Sequence, residues 1–406
     1  MRQQFTTVAV VGGGASGIIA ALTAAEVSGR HVLLLERQQR IGRKLLATGN
    51  GRCNLTNQNA SPTDYFGRDP AFAEYALSHF GPVDAQRFFS RIGLLTVTEP
   101  GGRVYPFSDS SNSVLDVLRF ALDRAAVEQR CSFPVDEIIP KGKAYLLKSG
   151  NETLLADAVI LACGGAAGAK LGGVMDGYRL GKALGHRRTS LYPSLTRILT
   201  ASDYPRSLKG VRVQASLRLM RGDHLLAESA GEVQFTENGV SGPAGFDLSR
   251  AVSFGGEGQV LHLKLLPFES EGILSLVHAR QKQFPELEAS ELFTGMLHNR
   301  LGRVLVKAAG IPATVPLKTL TPEDLRTAAR VCEDFCLPVR GTDGFDAAQV
   351  TAGGLITDDF DPKTMQSRLH PGLYACGELL DIDGPCGGYN LQWAWASGRL
   401  AGRLGT

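Results

Sequence analysis

The sequence predicts an α/β protein whose parallel-sheet domain is built from both ends of the chain and split by an inserted β unit and a helical unit. Three observations predict it. Residues 6–37 run strand, glycine turn, helix, strand. The texture changes at about 194 to short alternating segments and at about 267 to helical periodicity. Near 341 it returns to the strand-then-helix pattern. The expected divisions are 1–193 and 341–406 for the split domain, 194–266 for a barrel-like unit and 267–335 for a helical one, within an insert ending at 340.

The first element is "TTVAVVGGG", where Val8 to Val11 form the continuous apolar run of a strand buried on both faces. "GGGASG" (Gly12, Gly13, Gly14, Ala15, Ser16, Gly17) then fills G-x-G-x-x-G. In that motif the first glycine permits the tight turn and the second lets a pyrophosphate approach the backbone. The third allows the helix to pack on the strand, and the helix N-terminus offers free N–H groups to phosphate. A second strand, "HVLLLE", ends in Glu36, 19 residues after Gly17, where a carboxylate accepts the ribose hydroxyls of a dinucleotide. The same acid argues against a 2′-phosphate, which it would repel. The reading is a Rossmann-like, dinucleotide-binding domain.

Next comes "IGRKLLATGNGRCNLTN" (41–57), rich in glycine and basic side chains and expected to be a loop rather than a helix. Leaving the second strand beside the dinucleotide, it would let Arg43 and Lys44 balance pyrophosphate charge. Gly49 and Gly51 would let backbone run close to a flat ring, with Asn50, Arg52 and Asn54 offering hydrogen bonds. Cys53 is expected to pack. "DPAFAEYALSHF", "DAQRFFSRIG" and "SNSVLDVLRFALDRAAVEQR" read as helices, and "FPVDEII", "AYLLKS" and "DAVILAC" as strands. The glycine loop after "DAVILAC" begins at Gly164 and lacks the Gly-Lys-Ser/Thr of a P-loop. Arg37, Thr48, Cys53, Val135 and Gly164 complete the expected cofactor contacts in this half.

In the middle, "VRVQASLRLM", "GEVQFT" and "GQVLHLKLL" alternate as antiparallel strands do. "GILSLVHARQKQF", the segment ending "VLVKAAG", and "TPEDLRTAARVCEDF" read as helices, the last with Thr321 as N-cap and Pro322 in the first turn. At the C-terminus, "GLYACGELL" is a strand running into Gly377 and Glu378, and "GGYNLQWAWASG" opens a helix at Gly388, Tyr389, Asn390 and Leu391; these six residues are the expected cofactor contacts of the second half.

"GRKLLATGNGRCNLTN" resembles the signature of the HI0933-like flavoproteins, a group with aminoacetone-oxidase-like and bile-acid-reductase-like members. "PGGRVYPFSDSSNSV", "YPSLTRI", "FTENGVSGPAGFDLSR", "VTAGGL" and "GLYACGELLDIDGPCGGYNLQWAWASG" resemble its other blocks, in order. The resemblance implies FAD as cofactor. It also places the Gly388 helix at the flavin and Glu378 near the ribityl-phosphate part. No histidine falls in these blocks, so the FAD is expected to be non-covalent.

Other classes find little support. A net charge of +3 does not argue for nucleic acid or a membrane surface. Seven scattered cysteines fit a reducing cytoplasm better than a disulfide framework. No metal site is expected, because Cys332 and Cys336, read as one helical turn apart, have no neighbouring histidine in sequence. No second dinucleotide turn exists, so NAD(P)H, as candidate donor, would share the open face with the substrate. The expectation is therefore an FAD-dependent reductase passing hydride to an activated C=C of a small or polycyclic molecule. An amine or amino-ketone oxidase and a flavin-carrying RNA- or partner-binding protein stand as alternatives. Arg52 and Tyr105 are the candidate catalytic groups.

Overall fold

The computed structural model describes residues 6–27 and 29–405. Strand β1 (Thr7–Val11) lies between β2 (His31–Leu35) and Ala158–Leu161, parallel to both. Val10 pairs with Leu34 on one side and Ile160 on the other. A strand so placed has no wet face, which is why its sequence does not alternate; Val8, Ala9 and Val10 are fully buried. Leu373–Ala375 pairs with Ala158–Leu161 and Glu128–Arg130 with β2, all parallel, giving a sheet of five strands.

Helix α1 (Ala15–Ala24) packs against the C-terminal helix Tyr389–Gly402. Their approach is close because of glycine. A Cβ at Gly398 would run into the carbonyl oxygen of Ser16, and one at Gly402 would stand 2.5 Å from that of Ala20. Thus the two ends of the chain share one core.

The chain divides into two compact units, one running to Tyr192 and resuming at Ala348, the other Pro193–Ala347. The second holds a closed antiparallel barrel in the order Ile198–Thr200, Gly239–Ser241, His224–Phe235, Arg212–Arg221, Gln259–Lys264, Phe335–Thr342. Closure leaves no free strand edge. Leu217, Leu219, Leu261 and Leu263 point inward, fully buried, while Arg218 and His262 alternate outward. In the same unit helix Pro322–Glu333 begins at a reciprocal cap: the Thr321 hydroxyl accepts from the Asp324 N–H, and the Asp324 carboxylate accepts from the Thr321 N–H at 2.8 Å.

Four local expectations change. Residues 41–57 are not all loop, since α2 (Arg43–Ala47) forms between Gly42 and the turn Thr48–Gly51. The glycines bound it rather than interrupt it, and buried Leu45 anchors it. The helix expected to reach Arg130 ends at Arg124. Ala126 then takes a left-handed conformation, and Glu128–Arg130 becomes the edge strand beside β2. Glu152–Ala156, unanticipated, completes an antiparallel sheet with Glu137–Lys141 and Ala144–Ser149. Phe335–Thr342, read partly as helix and partly as connection, is the barrel's last strand despite Pro338. Among the described residues no helix is long and apolar enough to cross a membrane.

Candidate cofactor and substrate site

The turn between β1 and α1 carries the first half of the site. Gly12 has φ 114°, and a Cβ there would run into the carbonyl oxygen of Ala162. A Cβ at Gly17 would run into the carbonyl oxygen of Gly12. At Gly14, by contrast, a Cβ would meet nothing within 4 Å. Gly14 caps α1 without a side chain, and no acid stands in the first turn. Free N–H groups and the positive helix end therefore face open space, the arrangement that receives phosphate. Ala15 and Ser16 form the start of the helix, with the Ser16 hydroxyl packed where a Cβ at Gly377 would fall.

The Glu36 carboxylate reaches back to this turn, accepting from the Gly13 N–H at 2.8 Å and the Gln38 N–H at 2.7 Å. Each oxygen keeps a lone pair for a further donor such as a ribose hydroxyl.

The second half comes from the far end of the chain. Gly388 has φ 105° and caps Tyr389–Gly402 with no side-chain bond and no acid in the first turn. The Asn54 side-chain oxygen is buried without a hydrogen-bond partner and would lie 2.9 Å from a Cβ at Gly388. An open cradle at Gly14, a second uncapped helix end and an orphaned acceptor fit a bound flavin dinucleotide. Surrounding bonds fix this end. Trp393 donates its indole N–H to the Gly377 carbonyl at 3.1 Å, the Ser397 hydroxyl accepts from the Gly377 N–H at 2.9 Å, and Asn57 donates to the Gly387 carbonyl at 3.0 Å. Asn390 braces the preceding loop, accepting from the Gly384 N–H at 3.0 Å and donating to its carbonyl at 2.7 Å. Tyr389 accepts at its carbonyl from the Tyr65 hydroxyl, and Leu391 packs on the core.

Lys44 and Glu378 meet as an ion pair at 2.7 Å, and Glu378 also accepts from the Thr351 N–H at 2.7 Å. Arg43 instead bonds Gln38 at 2.7 Å and the Lys170 carbonyl at 3.1 Å, and Arg37 pairs with Asp176. The Thr48 hydroxyl donates to the Leu45 carbonyl, and the Thr48 carbonyl accepts from the Cys53 N–H. Gly49 lies against the Tyr105 ring, while positions Gly51 and Gly164 open onto free space. Asn50 is exposed, and Val135 is buried in the apolar core. Cys53 is buried, and desolvation pushes its thiol up to about 12, so it is an inert packing group.

Arg52 is heavily committed. It bonds Glu99 at 2.5 Å and Asp109, and its guanidinium stacks 4.0 Å over the Tyr105 ring. Those bonds raise its pKa further, so it is a fixed cation tying three segments together. Burial raises the pKa of Tyr105 as well, against the lowering influence of Arg103 and Arg52. Arg103 escaped attention in the sequence. It shares the strand Arg103–Pro106 with Tyr105, and its Nε would lie 3.4 Å from a Cβ at Gly387. Among the described residues no carboxylate pairs with Arg103. The "GGRVYPFSD" block held that signal, but only the fold shows which of its two arginine neighbours is already spent. Thr351 was equally hidden, because nothing local in "VTAGGL" announces a bond to Glu378.

Comparison with known proteins agrees with this architecture. The chain matches the HI0933-like protein Rossmann domain over residues 6–404. It is 38% identical to a 3-dehydro-bile acid delta(4,6)-reductase of Clostridium scindens over 401 residues, 98% of each chain. It is 28% identical to a ribosomal RNA dihydrouridine synthase of Escherichia coli, covering 96% of this chain and 95% of that one. A protein of the same description from Haemophilus influenzae is 25% identical over 97% of each. The chain therefore belongs to the HI0933-like Rossmann family, as an FAD-dependent oxidoreductase.

Proposed function

We propose that the protein reduces a C=C bond conjugated to a carbonyl in a small polycyclic substrate, with NAD(P)H as donor. The observation that carries the reading is the full-length similarity to a delta(4,6)-reductase of a 3-dehydro bile acid, whose double bonds are conjugated to a ketone. Bound FAD supplies the two-electron hydride chemistry; the chain supplies binding, charge and protons. Gly12 to Gly17 and Glu36 hold the adenosine and pyrophosphate end, and Lys44 holds Glu378 in place through their ion pair. The Gly388 helix end presents N–H groups to negative charge on the cofactor. Arg103 holds the substrate carbonyl or a carboxylate, since its cation is otherwise unspent. Tyr105 keeps its hydroxyl proton at neutral pH, as burial requires, and delivers it from Oη to the substrate. Arg52 acts by positioning the Tyr105 ring. With one dinucleotide turn, donor and substrate occupy the same face in alternation. Seven free thiols suit a cytoplasmic setting.

The test is anaerobic reduction by NAD(P)H followed by mixing with a 4-en-3-one or 4,6-dien-3-one steroid acid. Rapid reoxidation with loss of the conjugated ketone's absorbance is expected. Oxygen uptake with an amine, and no response to the enone, would overturn the reading. A second reading rests on the two relatives described as dihydrouridine synthases, because uracil also has a C=C conjugated to a carbonyl. Ribosomal RNA that reoxidises the reduced protein faster than the steroid acid would favour it.

A further inference from the structure

The outer wall of the barrel carries a cluster that the cofactor site does not use. His262, on Gln259–Lys264, lies directly opposite Cys336 on Phe335–Thr342. Asp334, where the helix Pro322–Glu333 gives way to that strand, reaches both. His262 Nδ1 stands 2.8 Å from Asp334 Oδ1 and 3.4 Å from Cys336 Sγ, and Sγ stands 3.7 Å from Asp334 Oδ2. We propose that His262, Asp334 and Cys336 form a binding site for a borderline-soft divalent cation of the zinc class, with solvent in the fourth position.

Three features carry the assignment. The donor types are those zinc takes: imidazole nitrogen, carboxylate oxygen and thiolate sulfur. Bond lengths of about 2.0–2.3 Å in a tetrahedron put ligand atoms roughly 3.3–3.6 Å apart, close to both distances from Sγ, while Nδ1 and Oδ1, hydrogen-bonded at 2.8 Å, would part by about half an ångström on binding. All three donor atoms lie within 4.8 Å of one another. The third feature excludes the rival explanation. In a nucleophile relay the thiol and the carboxylate use opposite ring nitrogens, whereas here both face Nδ1.

Arg218 is the other charge at the site, across the strand from His262 with its guanidinium 3.7 Å from Asp334. It is more than half exposed and can turn to solvent as a cation enters. Cys332 takes no part, being fully buried inside the helix. The geometry arises because the helix stops at Glu333. Phe335 then turns into the core, and strand alternation puts Cys336 outside beside His262. A bound cation would clip the helix end to two barrel strands.

The test uses the full FAD-loaded chain and zinc chloride. After removal of excess metal, about one zinc per chain is expected, with Cys336 protected from alkylation and Cys131, also exposed, alkylated as before. His262→Ala and Asp334→Asn should each weaken zinc by more than about 100-fold, beyond the 10–100-fold lost with a merely supporting partner. Zinc that leaves Cys336 alkylation unchanged, or that binds both variants like the parent, would overturn the proposal. Should a variant fold poorly, the contrast between Cys336 and Cys131 in the parent chain decides alone.

Discussion

Gly14 and Gly17, on the same turn and helix, answer to different constraints. A methyl at Gly17 has no room against the Gly12 carbonyl, while one at Gly14 enters empty space that we assign to pyrophosphate. Gly17→Ala should therefore yield little folded protein. Gly14→Ala should fold with unchanged melting of the FAD-free protein and lose FAD affinity, as read by flavin titration. Equal stability losses in the two would contradict the placement. The same reasoning separates Arg103 from Arg52. Arg103→Ala removes an unspent cation, and a lost charged hydrogen bond of about 1.5–3 kcal/mol is roughly a 10–100-fold rise in KM at normal FAD occupancy. Tyr105→Phe should lower kcat by about 10²–10⁴-fold with little change in KM, the usual worth of a positioned proton donor. If steady-state kinetics with the enone show neither split, these residues serve the loop and not the substrate.

At the scale of elements, helix Pro322–Glu333 offers a stability test apart from the cofactor. Its reciprocal cap rests on the Thr321 hydroxyl, so Thr321→Ala should cost about 1 kcal/mol in a denaturant titration and leave FAD content untouched. Elements of this kind were legible because their signals are local: a cap four residues long, a glycine turn, an apolar strand. The sequence misled where the signal was not local. Arg43–Ala47 became a helix because Leu45 found a core to enter, which its glycine-rich surroundings concealed. Phe335–Thr342 pairs with two strands far earlier in the chain, and that pairing overrides Pro338. The site divides in the same way. The glycine turn could be read from spacing, whereas Lys44, Thr351 and Glu378 are joined only by the return of the chain's far end. His262 and Cys336 met for the same reason, through strand register and not through sequence proximity.

For the molecule as a whole, the consequence of splitting one domain across both termini is that a ligand held as we propose would tie the ends together. The Gly12–Gly17 turn and the Gly388 helix end belong to segments nearly the full chain apart, yet their helices share a glycine-lined crossing. A cofactor held by both stabilises the folded state by mass action, about 2.7 kcal/mol at a free concentration 100 times Kd. That stabilisation should appear as slower amide hydrogen exchange wherever local opening would release the cofactor. FAD should therefore slow exchange in residues 12–24, 43–57 and 377–392 together. The sheet Glu137–Lys141, Ala144–Ser149 and Glu152–Ala156, which contributes no group to the site, should change least. The comparison is made by mass spectrometry on the same protein with FAD removed and restored. Slowing confined to residues 12–24 would mean that the dinucleotide turn binds alone and that the C-terminal helix end has another purpose. Slowing at both ends is the outcome the shared core requires.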